Sequence, residues 1–240
     1  MLFRSDGGAI LAASGTNISI EDSSLHDNNA VGFGGAICAL DASTLSLVRT
    51  QIGQNDAGSV YDGGGGGGLC LWRGTARISD STIVDNVGRG DGGGGVLSHG
   101  SNVLLVRSTI AGNNNFTDHY RDGWGGGMAA YGGALTLENC TVTGNNAGAQ
   151  ALGTGGGIAV DANARLNILN SIVAGNEGGN YVTPGRALYD ISGTITSSNG
   201  HNVFSTDVAG NAAGAGGIAG VEAHHARRSR GFRRVGFAGQ

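Results

Sequence analysis

The chain has 240 residues, of which 49 are glycine and one is proline, and its formal net charge at neutral pH is −4. Collagen needs glycine at every third position with abundant proline, and a flexible linker would not carry 39% hydrophobic residues, so both classes are excluded. Residues 1–220 hold nine arginines against 17 acidic residues, which argues against nucleic acid or anionic lipid as a partner.

The beginning of the chain carries no recognisable targeting segment. Residues 1–10 lack the basic and apolar regions of a secretion signal, as expected either for a cytosolic protein or for a fragment of a longer one. No run of eighteen apolar residues follows anywhere, so no transmembrane helix is predicted.

From residue 7 onwards the sequence repeats. A motif of two glycines, a glycine or alanine and an apolar residue occurs six times, at 7–10, 34–37, 66–69, 93–96, 125–128 and 155–158. After each copy comes a block of constant spacing: apolar, any residue, apolar, four residues, apolar, two residues, asparagine. The closing residues of the six blocks are Asn28, Asn55, Asn86, Asn113, Asn145 and Asn176.

Apolar residues two apart are typical of a strand with one buried face, so each repeat predicts about three short strands joined by turns. A unit this small cannot bury its apolar face alone, and the copies must therefore stack. The predicted fold is all-β, a right-handed parallel β-helix of about six to seven coils. An imperfect seventh coil is expected near Leu188, with an extended piece at 191–196.

Stacking turns repeat positions into columns that run along the rod. The six asparagines are expected to form a structural ladder of hydrogen-bonded amides. Another position holds Asp22, Arg49, Asp80 and Arg107 in successive coils, which predicts outward ion pairs between neighbouring coils.

The three cysteines belong to two columns. Cys140 occupies a position that otherwise holds Ser or Thr, whereas Cys38 and Cys70 follow the glycine motif on neighbouring coils. The Cα atoms of Cys38 and Cys70 are expected within the range of a disulfide. Two packed thiols are the favoured interpretation and a bond is the alternative.

Residues 1–206 are predicted to form the β-helix domain. Residues 207–240 become rich in glycine and alanine and then in arginine, and match no coil. We expect this tail to be disordered or aberrant.

The glycine motifs at 7–10 and 34–37, with Asn28, Asn29 and Ala30 before the second, resemble repeats of the polymorphic outer membrane proteins. The later repeats, such as 155–159 followed by 166–171 and 173–176, resemble bacterial right-handed β-helix repeat proteins. The resemblance covers residues 5–206 and implies a pectate-lyase-like fold in a secreted or cell-surface protein, often an adhesin or passenger region. It does not imply an enzyme.

The candidate binding residues lie in the segments between each asparagine and the next glycine motif, where stacked loops project on one side. They are Tyr61, Asp62, Asp91, Asp118, His119, Tyr120, Arg121, Asp122 and Trp124. Asp91, Asp118 and Asp122 could hold Ca²⁺, Arg121 or His119 could act on an acidic sugar, and Trp124 or Tyr120 could stack on a sugar ring. The alternative is that all of them are ordinary surface residues.

The leading functional hypothesis is a non-enzymatic repeat protein, located outside the cell or on its surface, with a structural or binding role. Its partner would be a carbohydrate or another surface ligand, and no catalytic residue or cofactor is assigned. The alternative is a polysaccharide lyase or glycoside hydrolase of the pectate-lyase-like superfold, which would use the same corner loops.

Overall fold

The computed structural model describes residues 5–59, 63–116, 124–148, 155–178 and 190–204, and the backbone of 217–219. Within these ranges the chain forms 26 β-strands and no helix. The described part accordingly contains no helical segment able to span a lipid bilayer.

Two seven-stranded parallel sheets follow the glycine motifs. Sheet A consists of β1 (Ile10–Ala12), β5 (Ile37–Ala39), β9 (Leu69–Trp72), β13 (Val96–His99), β17 (Met128–Tyr131), β20 (Ile158–Val160) and β23 (Ile191–Ser192). Sheet B consists of β2 (Asn17–Glu21), β6 (Thr44–Val48), β10 (Thr75–Ser79), β14 (Asn102–Val106), β18 (Gly133–Glu138), β21 (Ala164–Leu169) and β24 (Ile195–Asn199).

Two further sheets follow along the chain, and in the described residues the second of them is confined to the first four coils. Sheet C consists of β3 (Ser24–His26), β7 (Gln51–Gly53), β11 (Thr82–Val84), β15 (Thr109–Ala111), β19 (Thr141–Thr143), β22 (Ile172–Ala174), β25 (Asn202–Phe204) and β26 (Gly217–Ala219). Sheet D consists of β4 (Asn29–Ala30), β8 (Asp56–Ala57), β12 (Val87–Gly88) and β16 (Asn114–Asn115). The expectation of about three strands per coil is therefore wrong for the first four coils, which add a two-residue strand after the asparagine corner.

The strands pair only with their equivalents in neighbouring coils. In sheet B, Leu45 lies beside Ala76 and Ala76 beside Val103, so each apolar position meets the same position of the next coil. This register confirms the stacked parallel coils, including the seventh, which begins in the described residues at Asp190. The last pair of sheet B has a register irregularity between Leu166 and Asn167. Strand β26 lies in the segment assigned to the tail and pairs with β25.

The core is a narrow apolar column inside the rod. Leu47, Ile78 and Leu105 occupy one row of it and are fully buried. Burying each such side chain stabilises the fold by about 1.5–3 kcal/mol relative to leaving it exposed. Small and branched aliphatic side chains make up most of this interior.

The glycine motif forms the corner that leads into sheet A. Gly34 and Gly66 adopt φ values of 68° and 62°, a left-handed conformation that costs other residues free energy. A Cβ atom on Gly34 would also overlap the carbonyl oxygen of Ile37. Glycine recurs at this corner because the tight turn brings backbone against backbone.

The turn between sheets B and C also uses left-handed residues, but with side chains that reach solvent. Arg49 donates to Asp22 at 2.6 Å and also pairs with Glu21, and Arg107 donates to Asp80 at 2.7 Å. These contacts confirm the predicted pairing between neighbouring coils. The hydrogen bond from Arg49 lowers the pKa of the Asp22 carboxyl. Because the groups are solvent-exposed, they contribute little to stability.

Candidate functional site

Seven of the nine candidate loop residues lie outside the described residues. They are Tyr61, Asp62, Asp118, His119, Tyr120, Arg121 and Asp122. The other two, Asp91 and Trp124, are described, and both lie against the outer face of sheet A.

Asp91 and Trp124 meet at Tyr131, the last residue of β17. The Tyr131 hydroxyl donates a hydrogen bond of 2.5 Å to the carbonyl oxygen of Asp91. The Trp124 ring stacks on the Tyr131 ring, with centroids 5.3 Å apart and planes inclined by 15°. Two loops that are distant in sequence are therefore held on the same sheet by one tyrosine.

Tyr131 belongs to a column of three rings, which we call the aromatic column: Trp72, His99 and Tyr131. These residues end β9, β13 and β17 and are direct partners in the register of sheet A. The Trp72 and His99 rings are parallel with centroids 4.0 Å apart, and the His99 and Tyr131 rings lie 4.9 Å apart. Phe33 meets the edge of Trp72 at 5.5 Å.

Trp72, His99 and Tyr131 were not among the predicted site residues. The signal was present, because each is the third residue after the apolar residue of its glycine motif, on three successive coils. It was missed because those positions were assigned to the scaffold and not to the loops. Both tryptophans of the chain lie in or against this column.

A second apolar cluster lies next to the aromatic column and outside the main core. Phe33, Cys38, Cys70, Leu97 and Ala129 form it and are buried, with Trp72 and Tyr131 packed against it. Its counterpart in the first coil, Leu11, is 53% exposed. Over the second to fifth coils, described residues that precede the glycine motifs, among them Phe33, Gly65 and Gly92, lie against this outer face.

The electrostatics of the column keep His99 neutral. Burial lowers the pKa of the imidazole, and the carboxylates of Asp91 and Asp161 only partly oppose that effect. The His99 Nε2 atom is buried without a hydrogen-bond partner. Burial likewise raises the pKa of the Tyr131 hydroxyl, so this group remains a donor at neutral pH.

The charged groups near the loops have structural partners. Arg89 donates two hydrogen bonds to Asp56, at 2.9 and 2.6 Å, and lies 5.8 Å from the centroid of Phe116. Asp161 accepts hydrogen bonds from the amides of Gly132 and Asn163. The described residues contain no group of three or more His, Cys, Asp or Glu side chains placed to hold a metal ion. Asp91 is the one described member of the calcium candidates, so the predicted set falls mostly outside the described residues.

The six corner asparagines lie in one column on another side of the rod. The Asn86 side-chain amide donates to the Asn113 oxygen at 2.9 Å, and Asn113 donates to Asn145 at the same distance. The column runs from Asn28, through Asn55, to Asn176, whose amide donates to Asp190 at 2.9 Å. Each amide hydrogen bond is used inside the scaffold, which makes these residues structural.

Comparison with known proteins gives one result. A family model described as a right handed beta helix region matches residues 56–215, about two thirds of the chain. Searches of curated proteins and of solved structures gave no significant match. The match supports the repeat architecture and specifies neither a ligand nor a reaction.

Proposed function

This chain belongs to the right-handed beta helix family, and we propose that it is a non-enzymatic repeat rod that binds an extended carbohydrate along the outer face of sheet A. In this proposal it acts at the cell surface or in the medium, as an adhesin-like or passenger-like segment. That location rests on the resemblance of its repeats to those of surface proteins.

The observation that carries the proposal is the aromatic column. Phe, Trp and Tyr form only 5% of the chain, yet Trp72, Tyr131 and Trp124 gather with His99 on one face. All four are partly exposed. Rings with a polar edge are common at binding surfaces because they offer apolar area and a hydrogen-bonding group together.

The spacing of the column suits a linear polymer. Successive coils are about 4.8 Å apart, which is comparable with the length of one sugar residue. Because the rings stack on one another, a partner would meet their outer edges and the neighbouring corner loops. Such a surface favours a chain lying parallel to the rod.

A binding role is favoured over catalysis because the Asp161 carboxylate and the Asp91 backbone near the column are engaged in hydrogen bonds. Hydrolysis of a glycosidic bond uses a pair of carboxyl groups on either side of that bond. Asp161 accepts two backbone hydrogen bonds, and the Asp91 backbone is tied to Tyr131. Such hydrogen bonds hold the surface in one conformation, as a binding surface requires.

Binding can be tested by affinity electrophoresis of the full chain in gels that contain uronate polymers, glucans or mannans. We expect one class to retard the wild-type protein and Trp72→Ala to weaken the interaction about tenfold or more, because the ring is removed. Thr136→Ala, on the outer face of sheet B, is the matched control and should bind as the wild type does. Circular dichroism melts establish that both variants fold.

Several results would contradict the proposal. Equal retardation of the wild type and Trp72→Ala would place binding elsewhere, and no retardation by any polymer would remove the carbohydrate role. Release of unsaturated sugars or reducing ends would indicate the lyase or hydrolase alternative. A rise of Tm with Ca²⁺ would indicate a calcium site, whereas the proposal expects no change.

A further inference from the structure

Cys38 and Cys70 are direct partners in neighbouring strands. They lie in β5 and β9, where the register of sheet A places Cys38 beside Cys70. Paired parallel strands lie about 4.8 Å apart, within the range of about 4.4–6.8 Å between the Cα atoms of disulfide-bonded cysteines. Both side chains are free thiols in this structure.

The two thiols point away from the main core and are enclosed together. Both are fully buried in the second apolar cluster, alongside Phe33 and Leu97. Burial, and next the neighbouring Cys38 thiol, raise the pKa of the Cys70 thiol well above its usual value. The strand register and the shared cluster therefore place the two side chains next to each other.

Packing alone does not require cysteine at these positions. The same column holds Leu97, Ala129 and Ala159 in later coils, all of them buried. Cys140 is different, because its column neighbours are Ser108 and Ser171 and its thiol contacts the carbonyl oxygen of Glu138 at 3.3 Å. Within the described residues, Cys38 and Cys70 are the two thiols that share a column.

We propose that Cys38 and Cys70 are an oxidation site at which a disulfide links the second and third coils beneath Trp72. With hydrogen peroxide, the thiolate of one cysteine attacks a peroxide oxygen and the O–O bond breaks. Hydroxide is the leaving group, and the cysteine becomes a sulfenic acid. The sulfur of the other cysteine then displaces the sulfenic hydroxyl. Two thiols are oxidised to one disulfide while one peroxide is reduced to two waters.

The bond would form slowly and be readily reduced. Burial keeps the thiols protonated at neutral pH, and the thiolate is the nucleophile, so the rate should rise with pH. Disulfides favour Cβ atoms about 3.5–4.5 Å apart, slightly closer than the strand spacing, so the two strands must approach each other. Strained disulfides are the more easily reduced ones.

The test uses the full chain, reduced, treated with hydrogen peroxide, quenched, unfolded and alkylated with iodoacetamide. Trypsin cleaves after Arg4, Arg49 and Arg73, which places Cys38 in peptide 5–49 and Cys70 in peptide 50–73. We expect mass spectrometry to find these two peptides linked, with the loss of two hydrogens, and Cys140 alkylated. Dithiothreitol should release the link.

Cys38→Ala and Cys70→Ala should abolish the link, and alanine is suited to the column because Ala129 and Ala159 stand there. Cys140→Ser is the matched control and should form the link as the wild type does. In wild type and control, oxidation should raise Tm, since the bond closes a loop in the unfolded chain. Complete alkylation of both cysteines after oxidation, or a link that includes Cys140, would overturn the proposal. Neither result bears on carbohydrate binding, which is measured separately.

Discussion

The corner asparagines are the residues on which the stacking most depends. Asn113 uses its side chain to join two coils: its oxygen accepts from the backbone and side chain of Asn86, and its amide donates to Asn145. The same amide also donates to the carbonyl oxygens of Ile83 and Ala111. An aspartate could not donate and a serine has a single donor hydrogen, so neither reproduces this set of hydrogen bonds.

We predict that Asn113→Ala destabilises the protein by about 3 kcal/mol, because it leaves two buried donors of Asn86 without an acceptor, each costing about 1–3 kcal/mol. Asn28→Ala should cost less than about 1 kcal/mol, since Asn28 is the half-exposed first member of the column. Urea denaturation measures both. An equal loss of unfolding free energy in the two variants would mean that burial does not determine how much each asparagine contributes to stability.

At the scale of elements, the short strands and the loops differ in whether they tolerate inserted residues. The number of residues between the recurring positions of each repeated block is constant. The segment between the asparagine and the next glycine motif varies in length. A strand has a side-chain period of two, so one added residue turns every later side chain to the other face. A surface loop absorbs an added residue at small entropic cost.

An alanine inserted between Leu104 and Leu105 should therefore destabilise the protein by about 3 kcal/mol or more, because Leu105 turns out of the core and the smaller inserted alanine takes its place. The same insertion after Ser59, in a segment of variable length, should change stability by less than about 1 kcal/mol. Chemical denaturation of the two variants provides the comparison. Loss of folding in the loop variant would show that this corner is also under strict constraint.

The whole molecule is a stack in which each coil contacts only its neighbours, so stability varies along it. Ile18, Ile20 and Leu25 of the first coil are partly exposed, whereas their equivalents in the middle coils are fully buried. The covered outer face of sheet A spans the second to fifth coils and adds a second apolar layer there. The middle of the rod is thus the most strongly held part.

Hydrogen exchange of the native protein should follow this gradient. We predict that the backbone amides of Leu105 and Leu137 exchange about tenfold or more slowly than those of Ile18 and Ile20, because the end coil opens without disrupting the others. Mass spectrometry of peptides from quenched samples resolves the two regions. Uniform rates would indicate that the coils unfold as one cooperative unit.

The fold could be derived from the amino-acid sequence because its information is local and repeated. Constant spacing, alternating apolar residues and Asn28 through Asn176 at one position specify parallel stacking and the pairing of Asp22 with Arg49. Sheet D escaped notice because a two-residue strand is too short to show a period. Seven of the nine candidate site residues lie outside the described part, so their role stays a prediction.

The aromatic column emerges only when the chain is folded, whereas the pairing of Cys38 with Cys70 was predicted from their shared repeat position. Trp72, His99 and Tyr131 are about thirty residues apart in sequence, and what joins them is the register of sheet A together with loops that fold back over its outer face. Local patterns report which side chains face the core, since burial imposes a period. Local patterns do not show which surface positions a loop will cover. That depends on contacts between the repeated strands and loops whose sequences do not repeat.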